Sequence, residues 1–307
     1  MDVTDRLDPA LRYATTTRTN LSPDLLPVVR AGLDERRAAA AQLLATDDLE
    51  ISDTVTSAGT PVRIYRPGGV VTQPAVVFCH SGAFVLGNLD TDHRLCVELA
   101  RRAQCTVISV DYRLAPEHPY PAALDDVEAS LEWVIGDAAG LGIDPARVAI
   151  AGSSAGGALA AAVAQRSRTG TLPPLVFQLL HQPVLDHRPS PSKEEFTATP
   201  GFDGPACEQM WEYYLQGGRS SPAAAPGMAE AVEGLAPALI TCSELDPLRD
   251  EAIDYALRLM WAGVAAELHV FPGTCHGFDA LLPEWEVSQR LFAMQAAALR
   301  RAFDTIE

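Results

Sequence analysis

Residues 148–161 constrain the fold of this chain more than any other stretch. Four apolar residues, typical of a buried strand, precede the pentapeptide Gly152-Ser153-Ser154-Ala155-Gly156, and an alanine-rich run that predicts a helix follows it. A G-x-S-x-G pattern between a strand and a helix is typical of a nucleophile elbow, a tight turn that raises its serine above a sheet. An ordinary glycine-rich turn is the alternative, and the pentapeptide alone leaves both interpretations open.

The interpretation as a nucleophile elbow predicts a particular backbone conformation around Ser154. The serine takes a strained conformation, and Gly152 and Gly156 let neighbouring chain approach closely because they lack a Cβ. The Ser154 hydroxyl then lies at the start of a helix, where free N–H groups favour negative charge. Residues further along the chain must decide between the two interpretations.

Short apolar strands alternate with helices along most of the chain. The pattern predicts strands over 49–56, 61–65, 75–79, 105–110, 148–151, 175–180, 238–242 and 267–271. It predicts helices over 34–44, 91–103, 121–135, 207–215 and 284–303, besides the one that follows Ser154. This alternation predicts an α/β fold with a mostly parallel central sheet and helices on both faces.

Two segments depart from this alternation. Residues 1–45 are helical in pattern, with Ser22-Pro23 as an N-cap and first-turn proline, and residues 185–230 carry six prolines around the aromatic-rich helix. We expect 1–45 and 185–230 to form a helical cap over a core made of 46–184 and 231–307. A loose surface loop is the alternative for the second segment, but its large aromatic side chains favour burial.

Composition limits the classes of partner. The chain has 307 residues and a formal net charge of −17, with acidic residues scattered along its length. This charge argues against nucleic acid and anionic membrane surfaces as partners. There is no run of 18 apolar residues and no basic-plus-apolar pattern at the N-terminus, so we expect a cytoplasmic protein. None of the six cysteines forms a C-x-x-C pair, which argues against a structural zinc site.

A nucleophilic serine needs a base, and the base needs a carboxylate that orients it. Asp246 and His276 follow two successive predicted strands, so both should lie at the carboxyl edge of the sheet, where ligands bind. The order Ser, Asp, His is that of α/β-hydrolases. A lone aspartate is usually a helix cap and a lone histidine is usually structural, but together and in this order they predict a triad with Ser154. Glu244 and Asp250 are rival carboxylates, although Asp250 also suits the first turn of the next helix.

A fourth element follows the predicted strand 75–79. His80-Ser81-Gly82-Ala83-Phe84 is placed where backbone N–H groups complete an oxyanion hole together with the N–H after the nucleophile. We expect the donors to be Gly82, Ala83 and Ala155, and we expect His80 to brace the loop rather than to act as the base.

These motifs resemble the hormone-sensitive lipase-like family of bacterial esterases and lipases. The matching pieces lie within residues 61–280 and are His80-Ser81-Gly82-Ala83, Asp111-Tyr112-Arg113-Leu114-Ala115-Pro116-Glu117, Gly152-Ser153-Ser154-Ala155-Gly156-Gly157, Asp246-Pro247-Leu248-Arg249-Asp250 and His276-Gly277-Phe278. The resemblance implies an α/β-hydrolase fold with a cap, and a carboxylic-ester hydrolase that uses neither metal nor cofactor. The family usually has glycine where this chain has Ser81 and Ala83, and Asp or Thr where it has Ser153. These departures should affect the range of substrates more than the activity itself, because the backbone N–H donors remain.

Several functions remain open on these residues. The first is an esterase that forms an acyl-enzyme on short-chain or other small-molecule esters. An acyltransferase, an amidase or a deacetylase of a specialised metabolite would use the same triad. A non-catalytic small-molecule receptor on the same fold is a further alternative, against which the retained His276 counts. We interpret 111–121 and Cys275 as structural, and a homodimer is expected if the strand 267–271 lies at the sheet edge.

Overall fold

A computed structural model describes residues 3–69 and 72–305 of the chain, and eight strands within them join into one sheet. The strands are β1 (Leu49–Val55), β2 (Pro61–Pro67), β3 (Gln73–Cys79), β4 (Thr106–Val110), β5 (Ile143–Ser153), β6 (Gln178–His181), β7 (Ala238–Leu245) and β8 (Ala266–Cys275). Their order in the sheet is β1-β2-β4-β3-β5-β6-β7-β8. β2 is antiparallel to both of its neighbours, β1 and β4. The other six strands, β4, β3, β5, β6, β7 and β8 in sheet order, are parallel to one another. The predicted mostly parallel sheet is confirmed.

Helices cover both faces of this sheet. They are α1 (Val3–Arg6), α2 (Leu26–Leu43), α3 (His93–Ala103), α4 (Ala122–Gly136), α5 (Ala155–Arg168), α6 (Pro191–Glu195), α7 (Gly204–Leu215), α8 (Arg249–Trp261), α9 (Phe278–Leu281) and α10 (Glu286–Asp304), with 3₁₀ turns at Pro9–Ala14 and Pro226–Met228. α4, α5 and α8 share one apolar core with the sheet, and α3 and α10 share the other. In β3, Val77 and Cys79 face the first core while Val76 and Phe78 face the second. Both faces are therefore buried, which explains why the strand sequences are continuously apolar.

The predicted helical character of residues 1–45 is only partly correct. The long helix α2 begins at Leu26, and Pro27 takes the early helical position that the sequence assigned to Pro23. Residues 22–25 form a turn instead, in which the Ser22 carbonyl accepts hydrogen bonds from Leu25 and Leu26. The predicted N-cap at Ser22 is therefore wrong, because its backbone rather than its side chain holds the turn. Several strands also have different bounds from those predicted, and the largest differences are that β5 begins earlier, β6 begins later, and β7 and β8 end later.

The N-terminal segment contacts the segment 185–230. Gly201 N–H donates to the Thr17 carbonyl at 3.1 Å, and the Tyr213 hydroxyl donates to the Leu21 carbonyl at 2.8 Å. The Trp211 and Tyr214 side chains of α7 are buried. The division into cap and core stays a prediction. Within it, residues 1, 2, 70, 71, 306 and 307 lie outside the described part of the chain.

Two further findings concern the chain as a whole. Across residues 3–69 and 72–305, no helix has both the length and the apolar character needed to cross a bilayer. All six cysteines are buried free thiols. Burial raises the pKa of Cys275 to about 12, which fits its interpretation as a packing residue beside His276.

Candidate active site

Ser154 occupies a strained turn between β5 and α5. Its backbone has φ 55° and ψ −116°, in the half of conformational space that side chains with a Cβ rarely adopt. Glycine is required on both sides of the serine. A Cβ on Gly152 would overlap the Gly156 carbonyl, and a Cβ on Gly156 would overlap the Cys79 carbonyl at the end of β3. The turn therefore has the geometry predicted for an elbow.

Ser154, His276 and Asp246 form one hydrogen-bonded row. His276 Nε2 lies 3.0 Å from Ser154 Oγ, and His276 Nδ1 lies 2.8 Å from Asp246 Oδ2. An ionised carboxylate only accepts, so Nδ1 carries the proton and Nε2 is free to accept the serine proton. Asp246 is fully buried, and its other oxygen accepts the Leu248 N–H at 2.9 Å. The structure thus brings together the three side chains that the sequence singled out.

The surroundings of His276 favour its protonated form. Burial lowers the pKa of His276, but the negative charge of Asp246 and its hydrogen bond outweigh that effect, with smaller contributions from Asp279 and Asp92. The net result is a pKa above the usual histidine value. The imidazolium that would form when His276 takes a proton is therefore stabilised in place.

The loop after β3 leaves the sheet next to the turn that carries Ser154. Cys79 pairs with Gly152, so the loops that follow β3 and β5 start at the same level of the sheet. Gly82, Ala83 and Phe84 all have positive φ angles, of 132°, 55° and 59°. In the described part of the chain, no acceptor takes the N–H groups of Gly82, Ala83 or Ala155. These predicted donors are therefore free to bind an oxygen of a ligand.

His80 has the contacts of a brace. Its ring is fully buried and stacks on Tyr112, with centroids 4.1 Å apart. His80 Nδ1 donates to the Ser81 carbonyl at 2.7 Å, and the Tyr112 hydroxyl donates to the His80 carbonyl at 2.7 Å. Burial lowers the pKa of His80 to about 4, so the ring is neutral near pH 7. The bond to Tyr112 also agrees with the structural interpretation of residues 111–121.

Contacts from distant segments hold the same loop, and the sequence analysis missed them. Arg30 of α2 donates to the Val85 and Ala115 carbonyls, each at 2.6 Å. The Phe84 ring stacks on Tyr214 of α7, with centroids 3.8 Å apart. No pattern in the sequence distinguishes Arg30 from the other arginines of α2, because its partners lie more than fifty residues away.

The two rival carboxylates have other partners. Glu244 lies within β7, accepts the Gly273 N–H at 2.8 Å and pairs with Arg6 at 3.2 Å. Asp250 lies in the first turn of α8, as its position predicted, and accepts the Ser192 N–H at 2.8 Å. Asp246 is thus the carboxylate that is hydrogen-bonded to His276.

Known proteins share this arrangement of strands and motifs. The profile of a family described as having the alpha/beta hydrolase fold matches residues 76–280, about two thirds of the chain. The chain belongs to this family. The family includes the hormone-sensitive lipase-like esterases, so the resemblance and the predicted fold are confirmed.

Similar proteins are named as esterases. Carboxylesterase NlhH of Mycobacterium tuberculosis is 39% identical over 310 residues, which cover 96% of each chain. Esterase LipI of the same organism is 42% identical over 238 residues, covering 75% of this chain and 74% of its own. Esterase LipW from Mycobacterium marinum, whose crystal structure is known, has 55% sequence identity with this chain. The two structures superpose with a TM-score of 0.95, and the match covers 98% of this chain and 97% of LipW. This chain is therefore an esterase-like hydrolase.

The site predicts how His276 titrates. Because Asp246 stabilises the imidazolium, the pKa of His276 should lie above the ordinary value of about 6.5. Asp246→Asn should lower this pKa, since the charge is removed while the shape is kept. Imidazole signals from ¹⁵N-labelled protein, followed by NMR through a pH titration and assigned with His276→Gln, would measure both values. An unchanged pKa in Asp246→Asn would contradict the role given to the Asp246 charge.

Proposed function

We propose that the protein hydrolyses carboxylic esters through a triad of Ser154, His276 and Asp246. The observation that carries the proposal is the hydrogen-bonded row, in which His276 joins the strained serine to a fully buried carboxylate. A serine activated in this way attacks acyl groups, and water serves as the second acceptor.

The reaction would proceed in two halves. Ser154 Oγ attacks the ester carbonyl carbon while His276 Nε2 takes the serine proton, and the N–H groups of Gly82, Ala83 and Ala155 stabilise the oxyanion. The tetrahedral intermediate then collapses, and His276 gives its proton to the departing alcohol. In the second half, water attacks the acyl-serine while His276 again takes and returns a proton. Asp246 keeps His276 in the required tautomer throughout.

The same residues would also serve an acyltransferase, an amidase or a deacetylase. These alternatives differ only in the acceptor or in the bond that is cleaved, so assays of hydrolysis against acyl transfer would separate them. A receptor on this fold needs no base within hydrogen-bonding distance of the serine. The 3.0 Å distance between His276 Nε2 and Ser154 Oγ therefore favours a catalyst.

Substitutions in the triad test the mechanism. Ser154→Ala, His276→Ala and Asp246→Asn should each lower kcat/KM on p-nitrophenyl butyrate by about 10⁴-fold or more, and the losses should not add because the three residues act together. Glu244→Gln and Asp250→Asn are matched controls that should keep near-normal turnover. If one of these controls lost activity while Asp246→Asn kept it, the assignment of the acid would be wrong.

We propose further that the preferred acyl groups are short. The ring centroids of Phe202 and His276 lie 5.2 Å apart. The ring centroid of Trp211, which is only 6% exposed, lies 6.0 Å from that of Phe84 in residues 80–85, the loop after β3 that we call the donor loop. Large side chains from residues 185–230 therefore close over the region beside Ser154. Such a roof limits the depth available to an acyl chain.

Acyl-chain preference tests this proposal. We expect a higher kcat/KM on p-nitrophenyl butyrate than on p-nitrophenyl palmitate. Trp211→Ala should lower the ratio of these two kcat/KM values, because it removes a large side chain that limits the depth available to the acyl chain. Trp133→Ala is the matched control, because Trp133 lies on α4 away from the triad. A wild-type preference for the palmitate would contradict the proposal.

The methyl group of Ala83 is proposed to limit the alcohol side of the ester. Ala83 is buried in the donor loop at a φ angle of 55°, where glycine would be unstrained. A clash with a tertiary alcohol would cost about 1–3 kcal/mol, or about tenfold to more than a hundredfold in rate. Ala83→Gly should therefore raise the ratio of kcat/KM on tert-butyl acetate to that on ethyl acetate.

The control for this experiment is Ser81→Gly, which restores the other glycine usual in the family without removing the Ala83 methyl. That variant should leave the ratio unchanged. An equal ratio in wild type and Ala83→Gly would show that the methyl does not restrict the alcohol.

We also propose a homodimer that pairs through β8. This strand lies at one end of the sheet, which is the condition that the sequence analysis set for a dimer, and no other described strand pairs with its outer edge. The neighbouring helix α8 exposes Met260 and Trp261, the latter by 76%. Exposed apolar side chains next to an open strand edge suit an interface between copies.

Light scattering tests the dimer. The wild-type protein at micromolar concentration should have twice the mass of one chain, and Trp261→Asp should shift it towards the monomer by placing a charge in the interface. A wild-type monomer under these conditions would refute the proposal.

A further inference from the structure

The loop that carries His276 is held on both sides by two buried polar side chains. Gln182 follows β6 directly, and its Oε1 accepts the Gly277 N–H at 2.7 Å. Ser243 lies in β7, and its Oγ donates to the Cys275 carbonyl at 3.0 Å. Gln182 Nε2 donates to Ser243 Oγ at 2.7 Å, so the two side chains form a continuous bridge. The peptides immediately before and after His276 are therefore attached to neighbouring strands.

The partners determine the direction of every bond in this bridge. A backbone N–H only donates, so the Gln182 oxygen must face Gly277 and its NH₂ group must face Ser243. A backbone carbonyl only accepts, so the Ser243 hydroxyl must donate to Cys275. This hydroxyl can still accept from Gln182 and from Thr274, which lies 2.8 Å away. The bonds of Gln182 to Gly277 and Ser243 and the bond of Ser243 to Cys275 can therefore be made at the same time.

The same short segment also holds the nucleophile. The Ser154 N–H donates to the His181 carbonyl at 2.8 Å, and the Ser154 carbonyl accepts the Val184 N–H at 3.0 Å. Residues 181–184 therefore bind the Ser154 peptide through their backbone and the His276 loop through the Gln182 side chain. Gln182 itself has a positive φ of 46° and is 1% exposed. Its side chain thus connects the segment that binds the Ser154 peptide to the loop that carries His276.

We propose that Gln182 is a positioning residue, which sets the distance and angle between His276 Nε2 and Ser154 Oγ. The inference rests on the proposed function, because it matters only where His276 takes the proton of Ser154. A displacement of about 1 Å between reacting groups can cost about a hundredfold in rate. Loss of the bridge removes neither Ser154 nor His276, but it releases the loop that carries His276.

A second contact keeps the loop folded when the bridge is lost. His181 Nε2 lies 3.1 Å from Asp279 Oδ1, and His181 Nδ1 lies 2.8 Å from Thr241 Oγ1. Asp279 is three residues beyond His276, so this contact anchors the far end of the loop. Loss of the Gln182 hydrogen bonds should therefore disturb the position of His276 relative to Ser154 more than it disturbs the folding of the chain.

The test compares Gln182→Met, which keeps the length of the side chain and removes all of its hydrogen bonds, with Gln178→Met. Gln178 is equally buried on β6, but its side chain donates to the Ala236 carbonyl at 2.8 Å, at the other end of the strand. On p-nitrophenyl butyrate, Gln182→Met should lower kcat by about ten- to a hundredfold with KM changed less than about twofold. Gln178→Met should lose stability without this fall in kcat, as judged by its Tm.

Two further variants separate positioning from a general structural role. Gln182→Glu keeps an oxygen for Gly277 and should recover part of kcat relative to Gln182→Met. Ser243→Ala removes the bond to Cys275 and should lower kcat in the same direction, which keeps the test decisive if Gln182→Met does not fold. Hydrogen exchange at the Gly277 amide should be faster in Gln182→Met than in wild type and unchanged in Gln178→Met.

The exchange measurement does not depend on esterase activity. A wild-type protein inactive on every ester would reject the proposed function, while protection of the Gly277 amide would still report on the bridge. Wild-type kcat in Gln182→Met, or an equal fall in kcat in Gln178→Met, would overturn the positioning role. Unchanged exchange at Gly277 in Gln182→Met would overturn the bridge itself.

Discussion

The strained backbone of Ser154 is the constraint on which the rest of the site depends. A conformation of this kind costs on the order of 1–3 kcal/mol and persists only where the surroundings hold it in place. Here the segment 181–184 binds the serine peptide from both sides, and Gly152 and Gly156 let the end of β3 approach without a clash. The position of the Ser154 hydroxyl is therefore set by packing around the turn rather than by the serine itself.

Parallel strands explain how residues far apart in the sequence meet at this turn. β3, β5, β6, β7 and β8 all end at the same edge of the sheet, so the five loops that follow them converge. These loops bring together the backbone donors, the serine, Gln182, Asp246 and His276. Burial also strengthens the interaction between Asp246 and His276, because fewer water molecules compete for either group.

Segments outside the regular alternation of strand and helix complete the donor loop. Arg30 fastens its far end, and Tyr214 stacks on Phe84 within it. The N–H groups of Gly82 and Ala83 thus lie in a loop that is held by contacts from α2 and from residues 185–230. If these segments form the predicted cap, the cap also holds the loop after β3 in its conformation.

Much of the fold and the three central side chains followed from the sequence alone. Ser154 stands in a local pattern between a strand and a helix, and Asp246 and His276 follow strands whose apolar character is also local. The predicted start of α2 was wrong because Pro23 and Pro27 both suit an early helical position, and the sequence does not show which of them takes it. Gln182, Arg30 and the Phe84–Tyr214 stack were not predicted, because each acts across 55 to 130 residues through contacts that leave no periodic trace. The sequence by itself determined that Ser154, Asp246 and His276 follow strands of the sheet, since strand and turn propensities act over a few neighbours. Only the tertiary structure decided how they are aligned, since close packing of distant segments sets those distances.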